Sequence, residues 1–249
     1  MSLKDRVAVI TGASRGLGKA MALSLAQDGA RLALVGRDEA QLSATADAVR
    51  HLGAEAEVFR ADVSDEAQVR DLEQAVLAKL GRADILINNA GINIRKRMVD
   101  FTLHEWNSIL GTNLTGVFLM CRAFVPHMRG RGYGRVINMT SIMSHVSFPD
   151  RTAYSASKAG LLGFTHALAL ELATDGICVV GISPGPFATE MTLPIINDPA
   201  RNAEFMSHTP MARWGKPEEV GALARFLCSD SAAYITGTDI LIDGGWCAQ

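Results

Sequence analysis

The chain predicts an α/β fold in three layers, one parallel sheet with helices packed on both faces. Three observations carry that prediction. Short apolar runs rich in β-branched residues alternate with segments whose apolar residues recur at helical spacing. A glycine-rich turn follows directly on the first run. No Pro/Gly/Ser-rich linker, charge block or low-complexity stretch divides the 249 residues, so 1–249 reads as a single domain.

The first run, Val7, Ala8, Val9 and Ile10, has the continuous apolar character of a buried parallel strand. It leads into Thr11-Gly12-Ala13-Ser14-Arg15-Gly16-Leu17-Gly18, where a helical pattern of Leu17, Met21 and Leu25 begins. Strand, glycine-rich turn and helix is the context of a dinucleotide-binding loop. Glycines let the backbone approach a pyrophosphate, and the helix N-terminus offers free N–H groups and the positive dipole end. The spacing is Gly-x3-Gly-x-Gly, and the sheet is expected to be Rossmann-type and doubly wound. Further strands are expected at 31–35, 56–60, 85–88, 135–139, 178–182 and 239–242. Val69, Leu72, Val76 and Leu80 mark one of the helices between them. Right-handed crossovers place the strands' carboxyl ends along one edge, so motifs scattered in sequence converge on one crevice.

Residues 186–216 behave differently. Pro186, Pro194, Pro199 and Pro210 interrupt the stretch, and Asn197-Asp198-Pro199 is a turn signal. Met191, Leu193, Ile195, Ile196, Phe205, Met206 and Trp214 look exposed there. A long insertion at a strand's carboxyl end is expected to act as a substrate lid.

Composition narrows the function. The formal charge is -2 with acids and bases interspersed, which leaves no basic footprint for nucleic acid and no polybasic membrane patch. Uninterrupted apolar runs fall short of the ~18–20 residues of a membrane span. The first six residues carry no apolar signal-peptide core. Cys121, Cys178, Cys228 and Cys247 form no CxxC pair and no cluster with histidine, so neither a metal nor a disulfide is expected. A reduced, cytoplasmic protein is expected, with Cys121 and Cys178 as core fillers.

Tyr154 and Lys158 stand four residues apart, and Ser141 precedes the tyrosine by thirteen. An i, i+4 pair shares one helix face, so an ammonium can approach the phenol. A fixed positive charge there lowers a tyrosine pKa that is otherwise near ~10.

Taken together, Thr-Gly-x3-Gly-x-Gly at 11–18, Asn88-Asn89-Ala90-Gly91, Asn113, Ser141, Tyr154-x3-Lys158 and Pro184-Gly185 resemble the short-chain dehydrogenase/reductase family along essentially the whole chain. The resemblance implies an oxidoreductase that interconverts a ketone and a secondary alcohol by hydride transfer. Tyr154 is then the general acid or base, Lys158 stabilises the tyrosinate and bonds the nicotinamide ribose, and Ser141 donates to the substrate oxygen. Asn113 holds a helix irregularity whose water relays protons to Lys158. Gly12, Ser14, Arg15, Gly16, Leu17 and Gly18 form the phosphate loop. Asp62 and Val63 meet the adenine, and Asn89 lies near its ribose. Thr189 and the backbone of Phe187 meet the nicotinamide carboxamide, although Phe187 replaces the usual aliphatic residue. Asp62 reads equally as a helix cap, and Asn88 as a tie between strands. Thr140 is expected to face away from the crevice if Ser141 faces it. Ser144 is expected as a substrate contact.

NADP(H) is expected over NAD(H). Gly36 stands where NAD-using relatives carry an acid, and Arg37 with Arg15 can flank a 2′-phosphate. Asp38 reads either as a ribose-binding acid or as the next helix cap. Arg95, Lys96, Arg97 and Arg213 suit an acidic substrate, or read as a solvated charge run. Their segments are similar to those of gluconate 5-dehydrogenases, whereas residues 232–237 resemble 3-oxoacyl-carrier-protein reductases. A keto-gluconate or related sugar acid is the expected substrate, with an oxoacyl thioester or a generalist carbonyl range as alternatives. A non-catalytic NADP sensor or scaffold would lack Ser141, Tyr154 or Lys158. The resemblance also implies a homotetramer built through the Asn113 and Tyr154 helices and the C-terminal strand. The apolar Leu161, Leu162, Phe164, Leu168 and Leu172 fit core or interface, and residues 244–247 a further interface.

Overall fold

The computed structural model describes residues 2–190 and 192–249. Met191, one of the apolar residues of the expected lid, lies outside them. All seven expected strands form: β1 (Val7–Thr11), β2 (Arg31–Gly36), β3 (Ala56–Arg60), β4 (Ile85–Asn88), β5 (Gly134–Met139), β6 (Ile177–Pro184) and β7 (Thr238–Ile242). They pair in parallel in the order β3-β2-β1-β4-β5-β6-β7. The order reverses between β1 and β4, which opens a crevice outside the strands' carboxyl ends.

The helices are α1 (Gly16–Gln27), α2 (Glu39–His51), α3 (Glu66–Leu80), α4 (Leu103–Leu110), α5 (Gly116–Phe124), α6 (Thr152–Leu172), α7 (Leu193–Ile196), α8 (Pro199–Ser207) and α9 (Pro217–Cys228). Strand alternation splits the core into two layers. Ala8 and Ile10 of β1 pack with Met21, Leu42, Val49 and Val220 of α1, α2 and α9. Val7 and Val9 pack with Val69, Leu72, Val76 and Leu80 of α3 and with Phe124 of α5 on the other face. Each such aliphatic side chain taken fully from water contributes ~1.5–3 kcal/mol. This two-sided burial is why the strands read as unbroken apolar runs rather than as alternating ones.

Caps set where the helices start. The Asp38 carboxylate accepts from the Gln41 N–H at 3.0 Å, which settles Asp38 as the α2 cap. The α3 cap is Asp65, bonded to the N–H groups of Ala67 and Gln68, and not Asp62. The Asp62 carboxylate instead holds the Ser64 N–H and hydroxyl at 3.0 and 2.7 Å.

Two segments look different in the fold. A continuous helical segment, Leu103–His127, is long and apolar enough on length and composition to cross a membrane. Half of its apolar window is buried, with Val117, Met120 and Phe124 set in the core, so here it serves as a core helix. The apolar residues of 186–216 are not all exposed, because part of the stretch folds into α7 and α8. Ile195 is buried there, and Phe205 stacks on Trp214 with ring centroids 5.5 Å apart.

Candidate active site

The carboxyl ends of the strands enclose a cavity of about 530 Å³ that runs from the glycine loop to the lid. Apart from Gly18 and Asn113, which lie behind its wall, the expected catalytic and cofactor-binding residues line it, scattered though they are in sequence.

At the nucleotide end the loop depends on close backbone approach. Gly12 has φ +63°, and a Cβ there would sit 2.8 Å from Asn89 Nδ2. A Cβ on Gly18 would fall on the Gly12 carbonyl oxygen and come within 2.6 Å of the same Asn89 nitrogen. Asn89 Nδ2 donates to the carbonyls of Thr11 and Gly12 at 2.9 and 3.0 Å, so it ties the loop to β4 besides lining the cavity. Asn88 turns inward instead and donates to Asn138 Oδ1 at 2.9 Å, joining β4 to β5.

Arg15 and Arg37 flank the mouth of this end. Arg15 lies 3.9 Å from Glu190, Arg37 lies 3.5 Å from Asp62, and both guanidiniums are mostly exposed. Burial pushes the Asp62 carboxyl up, but hydrogen bonds from Ser64 and the Arg37 charge outweigh it and the net shift is down. The glycine cradle and the two loosely paired guanidiniums fit a dinucleotide carrying an extra phosphate: residues 12–18 would hold the pyrophosphate and Arg15 with Arg37 the added charge.

At the other end, Ser141 follows β5 as the cap of a short 3-10 turn, Ile142–Ser144, with its Oγ accepting from the Met143 N–H at 3.1 Å. Thr140 does turn away, toward β6 and β7, where its hydroxyl meets the Ile182 carbonyl and Asp239. Ser144 Oγ is buried without a hydrogen-bond partner among the described residues, and Ser144 does not line the cavity, against its expected role.

Tyr154 and Lys158 lie on the first turns of α6. Lys158 Nζ donates to the Met139 carbonyl at 2.5 Å and sits 5.8 Å from the centre of the tyrosine ring. The expected tuning of the phenol is not met in this state. Burial raises the Tyr154 pKa, and a Ser141 hydrogen bond and the Arg151 charge lower it by less. Burial also pushes the Lys158 ammonium down to about 8, so its own charge is weakened.

Asn113 sits in a π-helical turn, Gly111–Thr115, between α4 and α5. The expected helix irregularity is present. Its amide accepts from the Ile92 N–H at 2.8 Å and donates to the Ile92 carbonyl and the Ser157 hydroxyl at 2.9 and 3.1 Å. Asn113 thereby fixes the loop after β4 against α6, beside Lys158.

Thr189 packs its methyl 3.7 Å from the Cβ position of Gly16, across the cleft from the loop. The Phe187 carbonyl already accepts the Thr192 hydroxyl at 2.6 Å, and its ring covers Gly215. The backbone contact expected of Phe187 therefore shares its oxygen with the chain's own Thr192.

Sequence reading missed part of the cavity. Arg151 lines it, and burial together with the neighbouring Arg95 pushes the Arg151 pKa down. Arg95 lines it too, but Lys96 is paired with Glu105 at 2.9 Å and Arg213 with Glu219 at 2.7 Å. Phe148, Phe205 and Trp246 form an aromatic wall, with Trp246 5.7 Å from Phe148 and 5.9 Å from Phe205. Trp246 thus lines the cavity, a place not expected for it from the sequence. The one available signal was the placement of Arg151 three residues before Tyr154, at the opening of the same helix.

The sequence model of the enoyl-(acyl carrier protein) reductase family matches residues 12–247. A 3-oxoacyl-[acyl-carrier-protein] reductase of Synechocystis sp. is 41% identical, with 98% of each chain covered. The crystal structure of a short-chain type dehydrogenase/reductase from Mycobacterium marinum superimposes with a TM-score of 0.94 at 37% identity, covering 100% of this chain and 98% of that one. A protein of Beutenbergia cavernae, provisionally assigned as an NAD(P)-dependent gluconate 5-dehydrogenase and solved with NADP bound at low occupancy, matches at TM-score 0.94 and 35% identity, covering 100% and 99%. This chain belongs to the short-chain dehydrogenase/reductase family of NAD(P)-dependent oxidoreductases.

Proposed function

We propose that the protein is an NADP(H)-dependent oxidoreductase that interconverts a ketone and a secondary alcohol on an acidic substrate, of the keto-gluconate or related sugar-acid class. The observation that carries the reading is the placement of Ser141, Tyr154 and Lys158 in one cavity with the glycine loop. Bound NADPH supplies the hydride, and NADP⁺ takes it back. Ser141 donates a hydrogen bond to the carbonyl oxygen, where one such donor is worth ~3 kcal/mol. Tyr154 passes its proton to that oxygen as negative charge develops on it, and recovers the proton in the reverse direction. Lys158 supports the tyrosinate and reaches the ribose, and Asn113 holds the wall beside it. The segment 186–216 closes over the substrate through the contacts of Phe205 with Trp214 and Trp246.

NADP(H) is favoured by Arg15 and Arg37 and by the engagement of Asp38 as a helix cap; the NADP held by the Beutenbergia cavernae protein is consistent with this. Competing titration of the protein with NADPH and NADH tests the choice, and tighter NADH binding would reverse it.

The acidic substrate is favoured by Arg95 and Arg151. They line the cavity with no carboxylate in salt-bridge reach among the described residues. A charge-assisted hydrogen bond of ~1.5–3 kcal/mol corresponds to roughly 10–100-fold in affinity. Arg151→Met is therefore expected to raise KM for 5-ketogluconate by roughly 10–100-fold and to leave KM for 2,3-butanedione within about twofold. Equal changes for both ketones would remove the anion-binding role. A 3-oxoacyl thioester is the second reading, favoured by the apolar wall of Ile142, Met143, Phe148 and Trp246 and by the Synechocystis relative. An NADPH oxidation screen over keto-gluconates, acetoacetyl-coenzyme A and simple diketones decides between them; no turnover in either direction would sink both.

Reduction should depend on pH. Tyr154, with its pKa raised, stays protonated through neutral pH, as a reductase requires. Lys158 loses its charge as pH rises through about 8. We expect kcat/KM for reduction to be level below about pH 7 and to fall by up to ~tenfold per unit above about 8 as the Lys158 charge is lost. A reduction profile level to pH 10 would contradict a role for the Lys158 charge.

A homotetramer is the proposed assembly. Phe118 on α5, Leu170 on α6 and Leu241 on β7 are 43%, 82% and 42% exposed, which leaves apolar faces uncovered on the elements named for it. Sedimentation as a monomer at micromolar concentration would argue against it.

A further inference from the structure

A second cluster of polar side chains lies behind the Ser141 turn, and of its members only Thr140 borders the cavity. Its centre is the carboxylate of Asp239 on β7, only 4% exposed in a nearly closed site. Oδ1 accepts the Thr140 hydroxyl at 2.5 Å. Oδ2 accepts the Ser183 hydroxyl at 2.6 Å and meets His145 Nε2 at 2.7 Å. The Thr140 oxygen also lies 2.7 Å from the Ile182 carbonyl and 2.9 Å from Ser183 Oγ. A hydroxyl has one proton, and a carboxylate is the strongest acceptor in reach, so the proton goes to Asp239. Both hydroxyls and the imidazole N–H then converge on one buried charge. Room for it is made by Gly181, its register partner on β6, where a Cβ would overlap Asp239 Oδ1.

The connectivity gives the cluster its meaning. Thr140 and His145 are the two ends of the short arch whose second residue is Ser141. Ser183 immediately precedes the Pro184-Gly185 bend that leads to Phe187 and Thr189. One carboxylate therefore holds both ends of the Ser141 arch and the start of the opposite cavity wall. The Ser141 oxygen accepts from the Met143 N–H within the arch, and its hydroxyl lies within bonding reach of Tyr154. Its direction is set by where the arch is anchored. Displacement of a reacting group by ~1 Å from a remote substitution can cost as much as 10²-fold.

We propose that Asp239 and His145 form a positioning pair that aims Ser141 at the substrate oxygen. The proposal rests on the oxidoreductase reading above, and on the assignment of Ser141 within it. Neither residue touches the cavity, so both act through the arch. His145, whose side chain is 30% exposed, is the safer residue to vary, and Asp239→Asn removes the charge while keeping the shape.

The test measures three quantities for His145→Ala, His145→Gln and Asp239→Asn: kcat with whichever of 5-ketogluconate, acetoacetyl-coenzyme A or 2,3-butanedione the unmodified protein reduces fastest, NADPH affinity by fluorescence titration, and the melting temperature. The expected result is a kcat roughly ten- to a hundredfold lower for His145→Ala and Asp239→Asn, with NADPH affinity within about twofold. His145→Gln, which can still donate, recovers most of kcat. On a Ser141→Ala background, His145→Ala has no further effect, because the pair acts only through Ser141. A kcat within about twofold of the parent for folded His145→Ala would overturn the proposal. So would a loss that adds fully to that of Ser141→Ala, or one matched by an equal loss of NADPH affinity and thermal stability. Should Ser141→Ala alone leave kcat unchanged, the assigned role of Ser141 fails first, and the positioning pair fails with it.

Discussion

Tyr154→Phe is expected to lower kcat for ketone reduction by ~10²–10⁴-fold, the usual contribution of general acid–base work. The phenol is the one proton donor placed beside both Ser141 and Lys158 in the cavity described here. Phenylalanine preserves the ring that packs beside Ile142, Met143 and Trp246, so stability should change little. NADPH affinity should also remain within about tenfold, because the glycine loop and Arg37 are untouched. Steady-state kinetics together with NADPH titration check both statements. A variant that kept more than a tenth of the parent kcat would show that the proton comes from elsewhere, and Arg151 and water would become the groups to examine. A variant that lost NADPH binding instead would make Tyr154 a binding residue.

Gly18→Ala should have the second largest effect, and it acts through sterics alone. The added methyl carbon would fall on the Gly12 carbonyl oxygen and within 2.6 Å of Asn89 Nδ2. The loop cannot relax by a rotamer change, because one obstacle is backbone and the other is an amide bonded to the carbonyls of Thr11 and Gly12. Overpacking of this kind costs ~1–3 kcal/mol. If that strain is relieved by opening the loop, NADPH binding weakens by roughly 10–100-fold. Calorimetric titration measures it, and a lower melting temperature should accompany it. Parent-like affinity would mean that the close packing of Gly18 on Gly12 and Asn89 is not what shapes the loop for the cofactor.

Much of the architecture was legible in the residues because its physics is local. A parallel strand buried on both faces reads as a continuous apolar run, and Val7 to Ile10 and Ile85 to Ile87 do. Helix α3 shows its buried stripe as Val69, Leu72, Val76 and Leu80. The glycine loop is visible because only glycine permits the approach it makes, and the Tyr154–Lys158 pair because i, i+4 spacing needs only a helix. The choice between two readings of Asp38 was not legible. It turned on whether the carboxylate meets the first turn of its own helix, and both readings place an Asp at the same point of the sequence.

By itself the sequence determined the layer order, the sheet edge on which function gathers, and the identity of the Ser, Tyr and Lys at that edge. Each follows from periodicity, spacing or the geometry of one element. Only the tertiary structure decided which cations face the cavity, since Arg95 does and Lys96 is taken by Glu105. The same holds for the turn of Trp246 into the substrate wall and for the meeting of Thr140, His145, Ser183 and Asp239 across 99 residues of chain. Contacts between distant segments leave no periodic trace, because a single side chain meeting a single partner is compatible with almost any pattern around it. The Tyr154 pKa belongs to this second group as well. Spacing supplied the lysine, but burial, which is a property of the whole fold, raises the phenol's pKa against the Ser141 hydrogen bond and the Arg151 charge and lowers the lysine's own.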